Sequence, residues 1–116
     1  MKDKATSEVE PKAHYRIYVI RLDDSVLELK KFRDVNPSYR EGKPCYYVGM
    51  TGKPVRERFK QHIAGYKSSR MAKKYGKWLA KSKMRGIGKL TYEEAVEREP
   101  KLAEKLRQKG YGVWQH

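Results

Sequence analysis

From Tyr15 to Ile20 apolar and aromatic residues predominate on both faces of the backbone alternation. Such a segment reads as a central strand of a sheet. Cys45–Met50, bounded by Pro44 and by Gly52, reads as a second strand, and Tyr111-Gly112-Val113-Trp114 as a short strand added to the sheet edge. Between the first two, Ser25–Phe32 carries Val26, Leu29 and Phe32 at helical spacing, with Asp24 placed as N-cap and Asn36-Pro37 closing the segment. After the second strand a helix is expected to start near Pro54, to repeat Val55, Phe59 and Ile63 as one narrow stripe packed on the sheet, and to end at Gly65. A chain of 116 residues has room for one domain with a modest core. Met1–Ala13, charged with both signs and without apolar period, reads as a disordered arm ahead of a domain spanning 14–116.

Charge narrows the partners. Lysine and arginine number 28 against 14 acids, a formal charge of +14. Self-repulsion of that size is best tolerated when the usual partner is a polyanion, which points to nucleic acid. From Lys60 to Lys89 there is no acid, while ten cations, among them Lys60, Lys67, Arg70, Lys73, Lys74 and Lys77, interleave with Tyr66, Tyr75 and Trp78. Those six cations are the candidate phosphate contacts; Trp78 is expected in the core. Gly86 and Gly88 mark a loop at the end of this run. The single cysteine, Cys45, excludes an intramolecular disulfide and reads as a small buried hydrophobe. No apolar run approaches a membrane span and the N-terminus has no signal-peptide core, so a cytoplasmic protein without a membrane partner is expected, free or nucleoid-associated.

The last helix is the most readable element. Thr91 and Glu94 form a capping-box pattern and Gly110 stands where a terminating glycine belongs, giving a helix over about Tyr92–Lys109. Tyr92, Ala95, Val96, Leu102, Ala103 and Leu106 fall in one arc, with Glu99 at its middle. A carboxylate there costs several kcal/mol unless it is paired or binds a cation. A salt bridge to an internal arginine and a metal ion account for it equally well. A third account makes Glu99 the N-cap of a separate helix starting at Pro100.

Taken in order, Arg16-Ile17-Tyr18, then Tyr47-Val48-Gly49-Met50-Thr51-Gly52, then Arg58 and His62 on a helix with three residues between them, then Ala95-Val96-Glu97-Arg98-Glu99, resemble the GIY-YIG nuclease domain over about Tyr15 to Leu106. The segment from Tyr47 to Gly65 is the most specific part. The resemblance implies an α+β fold, a small antiparallel three-stranded sheet flanked by helices, and cleavage of DNA with one divalent ion, Mg²⁺ or Mn²⁺. It also implies roles. Tyr18 would be general base or organiser of the attacking water, Tyr47 would line the same pocket, Arg58 would hold the scissile phosphate, His62 would share a proton with a tyrosine or contact phosphate, and Glu99 would hold the metal. The chain departs from the family in five ways: Arg16 stands at the first glycine, an inserted helix and loop occupy about 24–44, one extra residue separates Gly49 from Arg58, the C-terminal part is short, and Asn36, inside the insertion, is the only asparagine where the family has one beyond the metal-binding helix.

Chemistry accounts for such a set. A phosphodiester repels nucleophiles, so catalysis needs cations on either side of phosphorus, and Arg58 with a hydrated Mg²⁺ supplies them. A tyrosine, with reference pKa near 10, needs nearby positive charge to act as a base, and Arg58 and the metal are expected to lower it. The reading is an endonuclease hydrolysing DNA, with branched or flapped forms among the candidate substrates, RNA left open by charge alone, and specificity drawn from shape, the basic segment or a protein partner. The alternative is a nucleic-acid-binding module that keeps the fold without turnover.

Overall fold

A computed structural model describes residues 12–66 and 69–115. Residues 1–11 of the proposed arm (1–13) and Lys67 lie outside the described residues. Strand β1 (Arg16–Leu22) pairs antiparallel with β2 (Cys45–Thr51), in the register Tyr18↔Gly49 and Ile20↔Tyr47. On its other side β1 pairs antiparallel with the short β3 (Gly76–Leu79). β4 (Gly112–Gln115) runs parallel to β2 on the opposite flank, giving the order β3-β1-β2-β4. The fold is α+β, but the expected three-stranded antiparallel sheet is corrected to a four-stranded mixed one. β3-β1-β2 supply the antiparallel part. The C-terminal strand joins it parallel because a long helical crossover carries the chain back before it pairs.

The central-strand pattern is borne out, since Tyr18, Val19 and Ile20 are all buried. One face of the sheet, with Ile17, Val19, Tyr46, Val48 and Val113, packs against Ala95, Ala103 and Leu106 of the long C-terminal helix. The other face, with Tyr18, Ile20, Leu22, Cys45 and Tyr47, is covered by Val26, Phe32, Met71 and Ala72. Cys45 is buried, and burial pushes its thiol up to about 11.

The inserted segment differs from expectation. A 3₁₀ turn (Asp24–Glu28) is capped by Asp23, not Asp24: the Asp23 carboxylate accepts from the Ser25 amide at 2.9 Å and hydroxyl at 2.6 Å. Leu29 is extended, and only then does a short α1 (Lys30–Asp34) begin. Asn36 ends it with a structural task. Its side-chain oxygen accepts from the Val113 amide at 2.8 Å, and its Nδ2 donates to the Val113 carbonyl at 3.1 Å and the Phe32 carbonyl at 2.8 Å. One buried side-chain amide thus satisfies the outer edge of β4 as a neighbouring strand would.

Helix α2 (Val55–Ala64) follows Pro54 and ends at Gly65, whose φ of 85° is the left-handed turn that a glycine supplies. Its inward face is rotated from the expected stripe. Ile63 is exposed, and His62 is the buried residue beside half-buried Val55 and Phe59. A short α3 (Arg70–Tyr75), capped by the Ser69 hydroxyl, leads into β3. Helix α4 (Tyr92–Gln108) carries the expected capping box, Thr91 Oγ1 accepting from the Glu94 amide at 3.1 Å and Glu94 Oε1 from the Thr91 amide at 2.8 Å. At its end Tyr111 N donates to the Leu106 carbonyl and Gly110 N to that of Arg107, a Schellman closure. Tyr92 and Val96 of the expected arc are exposed, because the buried line is Ala95, Glu99, Ala103 and Leu106. Among the described residues no helix is long and apolar enough to cross a membrane.

Candidate functional site

Strand pairing sets the site. Tyr18 on β1 and Tyr47 on β2 project from the same face, their ring centres 6.2 Å apart. Gly49 is the cross-strand partner of Tyr18, and the phenol lies across it: a Cβ at position 49 would come 2.5 Å from the Tyr18 hydroxyl oxygen and 2.6 Å from Cζ. The glycine of the Tyr47-Val48-Gly49 triplet is therefore a steric requirement of the tyrosine opposite.

His62 of α2 closes a triangle, its ring centred 5.6 Å from that of Tyr18 and 5.5 Å from that of Tyr47. Its Nε2 lies 2.7 Å from the Tyr18 hydroxyl. Its Nδ1 accepts the Ser69 amide proton at 3.3 Å. A nitrogen that accepts carries no proton, so the neutral ring holds its proton on Nε2 and donates to Tyr18. The Tyr18 hydroxyl proton is then directed away from the histidine. Tyr18, Tyr47 and His62 are all buried. The Tyr47 hydroxyl lies beside those of Tyr18 and Ser69, yet among the described residues it meets no partner in hydrogen-bond geometry.

Arg58, one turn before His62, is half-buried; its Nη1 donates to Gln61 Oε1 at 3.1 Å and to the Tyr66 carbonyl at 3.4 Å. Its charge reaches both tyrosines without prevailing. Burial is the largest influence on Tyr18 and drives its pKa far above the ordinary phenol value, Tyr47 beside it adds to the rise, and Arg58 pulls back only in part. Tyr47 is also raised, chiefly by burial. Arg58 lowers the Tyr18 pKa in the expected direction, but desolvation of a phenolate outweighs that one neighbouring guanidinium.

Glu99 comes from the helix on the opposite face of the sheet. It is buried at 5% exposure, and its Oε1 accepts from Gln115 Nε2 of β4 at 3.1 Å. Its charge is among the influences that raise Tyr47, which links it electrostatically to the tyrosine cluster. The N-cap account of Glu99 is corrected, because α4 runs unbroken through Pro100. Among the described residues no group of three His, Cys, Asp or Glu side chains could cage a metal. One buried carboxylate steadied by an amide fits an ion that takes a single protein ligand and keeps its waters, as Mg²⁺ does.

Of the candidate phosphate contacts, Lys60, Arg70, Lys73, Lys74 and Lys77 are exposed. Lys77 is partly engaged, donating to Asp23 at 3.3 Å. Trp78, expected in the core, is corrected: it is 51% exposed on the edge strand β3. Ser69 and Gln115 carry no expected role from the sequence, and Gly49 stands there as a motif residue without a stated task. Ser69 could have been found as the cap ahead of α3, and the task of Gly49 follows from its place opposite Tyr18, whereas nothing in the sequence marks Gln115. No protein-family model, curated protein or solved structure matches the chain.

Proposed function

We propose that the protein is a divalent-metal-dependent endonuclease hydrolysing DNA phosphodiester bonds. The observation that carries this is the polar cluster built into an apolar face: Tyr18 fixed by His62 at 2.7 Å, with Tyr47 and Arg58 beside them. A buried polar network weakens a core unless it is satisfied, and a buried hydroxyl without a partner costs about 1–3 kcal/mol. Tyr47 retains that cost, which is expected where a hydroxyl serves a water or a phosphate oxygen.

In this reading His62 positions Tyr18 by donating to its oxygen, and Tyr18, protonated at neutral pH, orients the attacking water through its own hydroxyl. Arg58 neutralises the scissile phosphate and stabilises charge developing on it. Glu99 would hold Mg²⁺ or Mn²⁺, which supplies Lewis-acid polarisation and a more acidic water. Exposed Lys60, Arg70, Lys73 and Lys74 would contact flanking phosphates, which predicts an affinity that falls steeply with salt.

A second reading, a DNA-binding module without turnover, is favoured by one observation: Tyr18 and Tyr47 are 1% and 0% exposed. Single-turnover cleavage of labelled duplex, flapped and branched DNA with Mg²⁺ or Mn²⁺ separates the two. Metal-dependent cleavage that Tyr18→Phe lowers at least about a hundredfold, with binding retained, supports the nuclease. Binding without cleavage across the panel supports the module.

A further inference from the structure

Trp78 has no part in that chemistry. Single exposed apolar residues are ordinary on protein surfaces, so its exposure alone carries nothing. Its surroundings carry more. It lines a cavity of about 380 Å³ with Leu79 and with Phe59 of α2, and the remaining lining residues are cations: Arg56, Lys60 and Lys81. A cavity of that volume lies within the range of small-ligand sites, roughly 300–1,000 Å³.

Two cations lie near the ring. The Arg21 guanidinium lies 5.6 Å from its centre and the Lys77 ammonium 5.5 Å. Both cations are themselves engaged, Arg21 by Asp24 at 3.1 Å and Lys77 by Asp23 at 3.3 Å. The other three cations, Arg56, Lys60 and Lys81, make no ion pair with a carboxylate among the described residues. A half-exposed indole beside Phe59 and Leu79, in a cavity otherwise lined by cations without an ion pair among the described residues and by no acid, combines a flat apolar surface with a place for phosphates. Unpaired nucleotides need both.

We propose that this groove between α2 and the β3 edge binds a single-stranded segment of nucleic acid, one base stacking on Trp78 while its flanking phosphates lie on Arg56, Lys60 and Lys81. The proposal rests on the nucleic-acid reading above and names the unpaired strand as part of the substrate. Tyr18, Tyr47, Arg58 and His62 are not among its lining residues, so binding here and cleavage there are separately measurable.

The experiment titrates the full chain, Trp78→Ala and Trp78→Phe with an oligothymidylate of about twelve nucleotides and with a duplex of the same length. Tryptophan emission is followed for the wild type and fluorescence anisotropy of the labelled DNA for all three. Trp114, packed on Phe32 at 6.3 Å, supplies the baseline emission in the variants. Trp78 is half exposed, so both variants are expected to melt like wild type. The wild-type emission should be quenched by the oligothymidylate. Trp78→Ala should bind it about ten- to a hundredfold more weakly, with Trp78→Phe between, and duplex affinity should change less than about twofold. Polyglutamate of equal charge, which neutralises the cations but offers no base, should leave the emission unchanged. Equal oligothymidylate binding by wild type and Trp78→Ala overturns the site, as does equal quenching by polyglutamate, which would mark the β3 edge as a place for acidic peptide. Cleavage is assayed on the same preparations. Weakened single-strand binding by Trp78→Ala alongside a wild type that cleaves nothing keeps this site and removes the nuclease, whereas a cleaving Trp78→Ala that binds single strands normally removes this site and keeps the nuclease.

Discussion

Gly49→Ala tests whether the glycine exists to seat the tyrosine opposite. The added methyl would stand 2.5 Å from the Tyr18 oxygen and 2.6 Å from Cζ. Ordinary contact is nearer 3.5 Å, so the ring must retreat by roughly 1 Å or the strands must part. The bond to His62, 2.7 Å long, does not survive that displacement in good geometry. Overpacking of this kind costs about 1–3 kcal/mol and the lost hydrogen bond about 1 more, giving an expected destabilisation of roughly 2–4 kcal/mol in urea unfolding. Tyr18→Leu removes the atoms in the clash, so the double variant should lose clearly less than the sum of the singles, a coupling of about 1–2 kcal/mol. Nitrogen-15 shifts of the imidazole report the same event, since His62 loses its acceptor on Nε2. A Gly49→Ala protein that unfolds like wild type, with unchanged His62 shifts, would refute the steric reasoning and leave Gly49 an ordinary strand residue.

Three other outcomes are expected. Glu99→Gln keeps the shape and an oxygen for Gln115 while removing the charge, so metal-dependent cleavage should vanish with DNA affinity nearly intact; undiminished cleavage removes Glu99 as the metal ligand. Asn36→Ala strands the buried Val113 amide, leaves the Val113 carbonyl to Arg107 Nη2 alone at 3.1 Å, and should cost about 1–3 kcal/mol with the β4 amides first to exchange; an unchanged stability would show that β4 needs no side-chain amide. Stability should also fall at alkaline pH. Tyr18, Tyr47 and Cys45 have folded pKa values raised above their unfolded ones, so their contribution is complete below about pH 9 and is lost as pH rises through 9–11 for Cys45 and above 10 for the tyrosines. Melting followed from pH 8 to 11 should show the fall, less steep in Tyr18→Phe; a flat profile would refute it.

Local rules made the capped ends legible. The Thr91–Glu94 box, Gly65 and Gly110 each act within a few residues, and each end falls within about a residue of its expected place. Strands β1 and β2 were legible because they are buried on both faces. Ile63 and Trp78 differ from expectation in which side of an element faces inward. Ile63 is the better hydrophobe, but a phenol already lies under α2, and an imidazole satisfies it where isoleucine would leave the hydroxyl unpaired. Trp78 stayed outside because β3 is a short edge strand. Asn36 looked like a loop residue because its partner, Val113, lies 77 positions away.

The site is also part of the core. Tyr18, Tyr47 and His62 are among the largest fully buried side chains of the chain, so they act as packing volume before they act as chemistry. Alanine at any of them would open a cavity costing several kcal/mol and would abolish activity whether or not the residue touches substrate. Only changes that keep the volume and remove the polar atom separate the two roles. Tyr18→Phe removes one oxygen, leaves the ring over Gly49 and leaves the His62 Nε2 proton without its acceptor. Its stability cost is therefore that of one buried hydrogen bond, about 1–2 kcal/mol. A rate loss of a hundredfold on top of so small a cost could not come from unfolding, because a fold that is stable by several kcal/mol remains almost wholly populated after losing two.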